Sequence, residues 1–183
     1  MIGTITSAAQ EAEASGNLAD AATAYFALGA YKMADEMFQN GRYYREGITD
    51  ALRSISIDAR IGNTGRAKQT AAFLKDGTSV LVDNRNEAVV RGLGYEWRGD
   101  AFLMLREQKA KNEYQKSRKY FEELDFETQL LWGAVPEYDT GFIAMNQYFQ
   151  SLNIDYYVDH DIDFAGRVNW KMEISKEILD SSS

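Results

Sequence analysis

Alternating acidic side chains around a histidine are the first place in this chain where residue type and spacing suggest chemistry. The segment YVDHDIDFAG sets Asp159, Asp161 and Asp163 two residues apart around His160, the single histidine. Hard cations such as calcium and magnesium take several carboxylate oxygens, which makes these three aspartates the candidate metal ligands. An EF-hand loop begun at Asp159 needs glycine at its sixth position and glutamate at its twelfth. The chain has Phe164 and Trp170 there. The plainer reading is a solvated, charged linker anchored by Tyr157 and Ile162. One histidine makes no triad without a placed nucleophile and an orienting group, so no catalytic residue is assigned and no cofactor is expected.

Two further stretches invite a chemical reading. RGLGYEWRG, with Gly92, Gly94 and Gly99, superficially resembles a dinucleotide-binding loop, but that loop requires a preceding strand, a tighter glycine spacing and a βαβ unit. No phosphate loop ending in Gly-Lys-Ser or Gly-Lys-Thr occurs. Lys109, Lys111, Lys116, Arg118 and Lys119, interleaved with Tyr114 and Tyr120, form either a basic patch or the wet face of an amphipathic helix. The chain as a whole carries a net charge of -8, and phosphate-backbone affinity comes from Lys and Arg. A nucleic-acid partner is therefore not expected.

The elements that would position these residues follow from composition and punctuation. At 183 residues the chain fits one ordinary domain, and a hydrophobic fraction of 45% excludes a disordered segment. Zero cysteines exclude a disulfide framework and a thiolate zinc module, which points to a reducing compartment. The N-terminus lacks the pattern of a secretory leader, and no stretch approaches the roughly 20 apolar residues of a membrane span. The expectation is a cytoplasmic protein without a membrane partner.

Pro136 is the only proline, so helices run with few interruptions. Glycines at Gly16, Gly29 and Gly41 lie 13 and 12 residues apart and read as helix stops, because glycine takes the left-handed backbone without a Cβ clash. Tyr44, Ile48, Leu52, Ile55 and Ala59 recur at helical spacing, as do Ala67, Ala71 and Leu74 before Gly77. TSVLVDN reads as a helix end or loop. Long helices are predicted over about 86–107 and through Tyr114 and Phe121. Asp125 caps a short helix ending near Gly133, and a last strong helix carries Phe142, Met145, Phe149 and Leu152.

The segment AYFALGAYKMADEMF resembles a tetratricopeptide repeat across its turn, with Tyr25, Gly29, Tyr31, Ala34 and Phe38 in the family's order. Gly62, Ala67 and Ala71 repeat the core of the pattern 33 residues on, and Gly99, Ala101, Ala110 and Tyr114 form a third, degenerate copy. A second register runs through Gly16, Leu18, Ala21 and Tyr25, which places Tyr25 in a second helix. That ambiguity is similar to the short-helix relatives in vesicle-fusion adaptors of the SNAP type.

The resemblance implies an all-α fold of stacked antiparallel hairpins, about eight or nine helices wound into a superhelix. It also implies a non-enzymatic scaffold or adaptor that binds a protein or peptide partner. Residues 1–153 are the expected helical-repeat domain and 154–183 a partly ordered or docking tail. One alternative is a divalent-metal-dependent protein or small helical enzyme in which Asp159 to Asp163 converge with Asp155 or Glu173. Another is a self-associating homo-oligomer whose tail docks on a second copy through Trp170, Ile174, Ile178 and Leu179.

Overall fold

Helix follows helix in the computed structural model, which describes residues 1–34, 42–83, 87–133, 136–158 and 163–180. In order these are α1 (Ile2–Ala14), α2 (Leu18–Ala34), α3 (Arg42–Arg60), α4 (Thr64–Gly77), α5 (Ser79–Asp83), α6 (Ala88–Met104), α7 (Lys109–Phe121), α8 (Phe126–Gly133), α9 (Pro136–Ser151) and α10 (Phe164–Asp180). The described residues contain no strand, so the all-α class holds. TSVLVDN contributes the five-residue α5, and the other nine helices match the expected number. Pro136 opens α9, a first helical position where its missing N–H costs nothing. No described helix is long and apolar enough to cross a membrane.

The turns are built alike. Gly16 and Gly62 sit at φ 79° and 78°. Beyond them, Asn17 N–H donates to the Ala12 carbonyl at 2.8 Å and Asn63 N–H to the Asp58 carbonyl at 2.7 Å, closing the outgoing helices as Schellman motifs. The turn from α6 to α7 repeats this without glycine: Arg106 takes φ 59°, and Glu107 N–H reaches the Phe102 carbonyl at 2.9 Å. Asn153, at φ 58°, closes α9.

Gly29 is not a turn. It lies inside α2, which runs unbroken through Tyr25, Gly29, Tyr31 and Ala34. The chain turns instead at Gly16, between α1 and α2, which places Tyr25 in the second helix of the first hairpin. The 33-residue spacing from Gly29 to Gly62 therefore joins a helix-interior glycine to a turn glycine. Phe38 and Gly41 lie outside the described residues.

The contacts divide the chain into two compact units, residues 1–70 with 136–153, and 71–135 with 154–183. This differs from a 1–153 domain with a tail, because α9 packs on α3 in the first unit and α10 packs on α7 in the second. In the first unit Ala9, Ala21, Ala22, Tyr25, Leu28 and Ile57 form a buried cluster joining α1, α2 and α3. The backbones of α2 and α3 meet at glycine: a Cβ on Gly29 would lie 2.8 Å from the Gly47 carbonyl oxygen and 3.1 Å from the Ala51 nitrogen. Ser54 Oγ, fully buried, donates to the Ala22 carbonyl at 2.8 Å across the same contact.

The second unit uses glycine to seat aromatic rings. Added Cβ atoms would meet the Phe121 ring at 2.5 Å from Gly92 and the Tyr114 ring at 2.7 Å from Gly99. At Gly94 the Cβ would come within 2.9 Å of Leu81 Cβ on α5. All three glycines of RGLGYEWRG thus lie inside α6 as packing notches, which removes the dinucleotide-loop reading.

These contacts predict opposite outcomes for two glycines in helices. Gly29→Ala places a methyl against rigid backbone and should destabilise the protein by about 1–3 kcal/mol. Gly65→Ala, on α4 with nothing within 4 Å, should stabilise it by about 0.5–1 kcal/mol. Urea unfolding midpoints measure both.

Candidate functional site

Of the three candidate metal ligands, Asp163 is described; Asp159 and Asp161 lie outside the described residues, as do His160 and Ile162. Asp163 Oδ1 accepts the Gly166 N–H at 3.2 Å, a capping bond at the start of α10. Asp155 and Glu173 are both exposed, and among the described residues no group of three or more acidic or histidine side chains can hold a metal ion. The linker is anchored differently from the expectation. Tyr156 and Val158 are buried, whereas Tyr157 between them is 62% exposed.

The repeat-defining residues separate into two sets. Tyr25, Gly29, Ala67 and Ala71 are buried, while Tyr31 and Ala34 face outward. Gly62 is in its turn. Burial pushes the Tyr25 hydroxyl upward, helped by its hydrogen bond to Glu13 at 2.8 Å and opposed by Arg53, whose guanidinium lies 5.1 Å over the ring.

The densest polar arrangement was not anticipated. α6 carries Glu96 and Asp100 one turn apart, and α10 carries Arg167 and Lys171 one turn apart. All four side chains are buried. Arg167 grips Glu96 through two bonds, Nε to Oε2 at 2.8 Å and Nη2 to Oε1 at 2.5 Å. Lys171 Nζ bridges the carboxylates, 2.8 Å from Glu96 Oε2 and 2.9 Å from Asp100 Oδ2. Tyr114 of α7 donates its hydroxyl to Asp100 Oδ1 at 2.6 Å. Aromatic rings close one side: Arg167 sits 4.4 Å over Phe164, which meets Phe121 edge-on at 5.1 Å.

Desolvation drives the Glu96 carboxyl up, but the adjacent Arg167 and Lys171 charges outweigh it and hold the group down at about 2. Burial pushes Asp100 up, opposed by Lys171 and reinforced by the Glu96 anion. Lys171 is raised, since the two carboxylates more than offset its loss of solvent. Tyr114 and Tyr156 are driven well above their ordinary range by burial and then by the Asp100 charge. Two anions and two cations leave the cluster neutral, so its chemistry is that of a clasp. The sequence signal was a like-charge pair at four-residue spacing on the apolar face of each of two helices.

Elsewhere, Asp58 is fully buried, with no hydrogen-bond partner for its oxygens among the described residues and Arg66 Nε at 3.8 Å. Burial raises its carboxyl against the pull of Arg66. The basic run on α7 is partly neutralised locally: Lys111 pairs with Asp180 at 3.5 Å, Lys116 with Glu113 at 4.0 Å and Arg118 with Glu122 at 3.5 Å.

Accessible features lie beside the clasp. A groove of about 380 Å³ between α7 and α10 is lined by Arg118, Gly166, Asn169, Trp170, Met172 and Glu173. Arg118 Nη1 donates to Asn169 Oδ1 at 3.0 Å along it. At its lip Trp170, 42% exposed, meets Tyr157 edge-on at 5.7 Å. Ile174, Ile178 and Leu179, expected to dock on a second copy, are instead buried within this chain's own second unit.

Fold and site together define an all-α protein of helical hairpins whose second unit closes on a buried, electroneutral ion cluster. Neither a protein-family model, nor a curated protein, nor a solved structure matches the chain.

Glu96→Gln leaves Arg167 under-compensated and should cost about 3–5 kcal/mol. Because Glu96 falls from its ordinary 4.5 to about 2 in the folded protein, its contribution is fully present above about 4.5 and lost as pH falls through about 2. The stability gap between wild type and Glu96→Gln, from urea titrations at several pH values, should shrink across that window.

Proposed function

We propose that the chain is a non-enzymatic protein-binding module, a helical scaffold that takes a peptide or a partner's side chains in the groove between α7 and α10. The observation that carries this is exposed Trp170 lining a groove with Arg118 and Glu173 supplying opposite charges, its ring met by that of exposed Tyr157. Tyrosine, tryptophan and arginine dominate binding energetics at protein interfaces because they combine large apolar area with a polar handle. A groove of this volume holds one or two side chains of a ligand.

The buried ionisable groups support the same reading. Glu96, Asp100, Arg167 and Lys171 neutralise one another where solvent barely reaches, so they bind helices to each other. Of the two registers that carry the resemblance to tetratricopeptide and SNAP-type repeats, the one through Gly16 supports a scaffold role, while the one that needs a turn at Gly29 does not; hairpins closed at Gly16 and Arg106 supply helix pairs.

The immobilised chain should retain a defined set of proteins from a cell extract, identified by mass spectrometry. The Tyr157→Ala, Trp170→Ala double variant should retain at least tenfold less of them with an unchanged melting temperature. Equal retention by both chains, or none by wild type, overturns the reading.

A further inference from the structure

Helix α8 is assembled as if to be presented. Asp125 precedes it and caps it, with Oδ1 accepting the Thr128 N–H at 2.7 Å, a bond that holds the Asp125 carboxyl below its ordinary value. Gln129 fastens it to the unit, its Oε1 accepting the Phe164 N–H at 2.9 Å and its Nε2 donating to the Leu124 carbonyl at 3.3 Å. Gly133 touches the Phe164 ring at 3.8 Å from where a Cβ would stand. The cap, the two Gln129 bonds and the approach of Gly133 to Phe164 thus help hold the helix, and none of its residues is buried.

What it shows to solvent is apolar: Phe126 is 62% exposed, Leu130 47% and Leu131 72%. Grouped exposure of this kind marks an interaction surface, whereas a single exposed leucine would mark nothing.

The surroundings choose the partner's charge. Glu122, Glu123, Asp125 and Glu127 are all exposed within six residues. Glu122 pairs with Arg118, but no described cation pairs with Glu123, Asp125 or Glu127. No Lys or Arg occurs anywhere between Lys119 and Arg167. Such a flank repels anionic lipid and nucleic acid, and a second copy would bring the same acidic flank and a net charge of -8.

We infer that α8 docks a basic amphipathic helix of a partner protein, with the partner's apolar face on Phe126, Leu130 and Leu131 and its Lys and Arg side chains against the acidic flank. This rests on the protein-binding reading above and adds a second surface with a stated partner chemistry. Helix-on-helix recognition reads anchors one turn apart, as Phe126 and Leu130 are.

The test uses the full chain and two synthetic amphipathic 14-residue peptides, one of Leu and Lys and one of Leu and Glu, measured by calorimetry. The Leu/Lys peptide should bind one to one, and the Leu/Glu peptide should give no heat. Leu130→Ser with Leu131→Ser leaves the net charge unchanged and should weaken binding at least tenfold at an unchanged melting temperature. Glu123→Gln with Glu127→Gln, or raised salt, should weaken it severalfold. Equal binding of both peptides, no binding of the Leu/Lys peptide, or unchanged binding to the leucine variant overturns the inference. So does a wild-type chain that light scattering shows to dimerise and the leucine variant to be monomeric, since the occupant is then a second copy. Capture dependent on Tyr157 and Trp170 is scored separately, so failure at the groove is distinguished from failure at α8.

Discussion

Charges brought together out of water must cancel locally, and the second unit is arranged around that constraint. Taking four ions out of solvent costs several kcal/mol each before they are paired, and only close, hydrogen-bonded geometry returns it. The geometry here is set by two matched ladders, Glu96 and Asp100 on α6 against Arg167 and Lys171 on α10, each with its pair one helical turn apart. Turning α10 by a single residue would swing a cation about 100° away and strand a carboxylate. Such a cluster therefore specifies register more than it adds stability. It also fixes α7, since the Tyr114 hydroxyl reaches Asp100 only because Gly99 leaves room for the ring.

The first unit solves a related problem by different means. Gly29 and Gly47 bring two backbones into contact, the Ser54 hydroxyl satisfies the Ala22 carbonyl, and Lys32 meets Asp50 at 2.8 Å between the same two helices. The second unit repeats this construction where Ser117 donates to the Gly92 carbonyl at 2.7 Å beside the glycine that admits Phe121. Small residues set the helix spacing, a serine closes a carbonyl, and a buried ion pair fixes the slide.

Helical class, the turns at Gly16 and Gly62 and the cap at Asp125 could be read from the residues, because they depend on local backbone preference and on apolar spacing. Gly29 was misread, since a glycine that ends a helix and one that lets two helices touch look the same until the neighbour is known. The turn near Arg106 follows from the helical spacing on either side of it, but not from punctuation: there the left-handed conformation is taken by a residue that ordinarily avoids it. Arg167 and Glu96 are 71 residues apart, as are Lys171 and Asp100, a distance over which spacing rules carry no information. The placement of α10 against α6 has the same cause, because its cations meet their carboxylates only there.

The long interval without basic residues has a practical meaning. To trypsin, everything from Tyr120 to Arg167 is one uncut piece, bounded by Lys119 inside α7 and by Arg167 inside α10. Arg167 is the side chain that grips Glu96, and with 5% of its surface accessible it is closed to a protease. Cleavage after Arg167 therefore reports opening of α10 from α6, which makes the appearance of that terminus a clock for opening of the second unit.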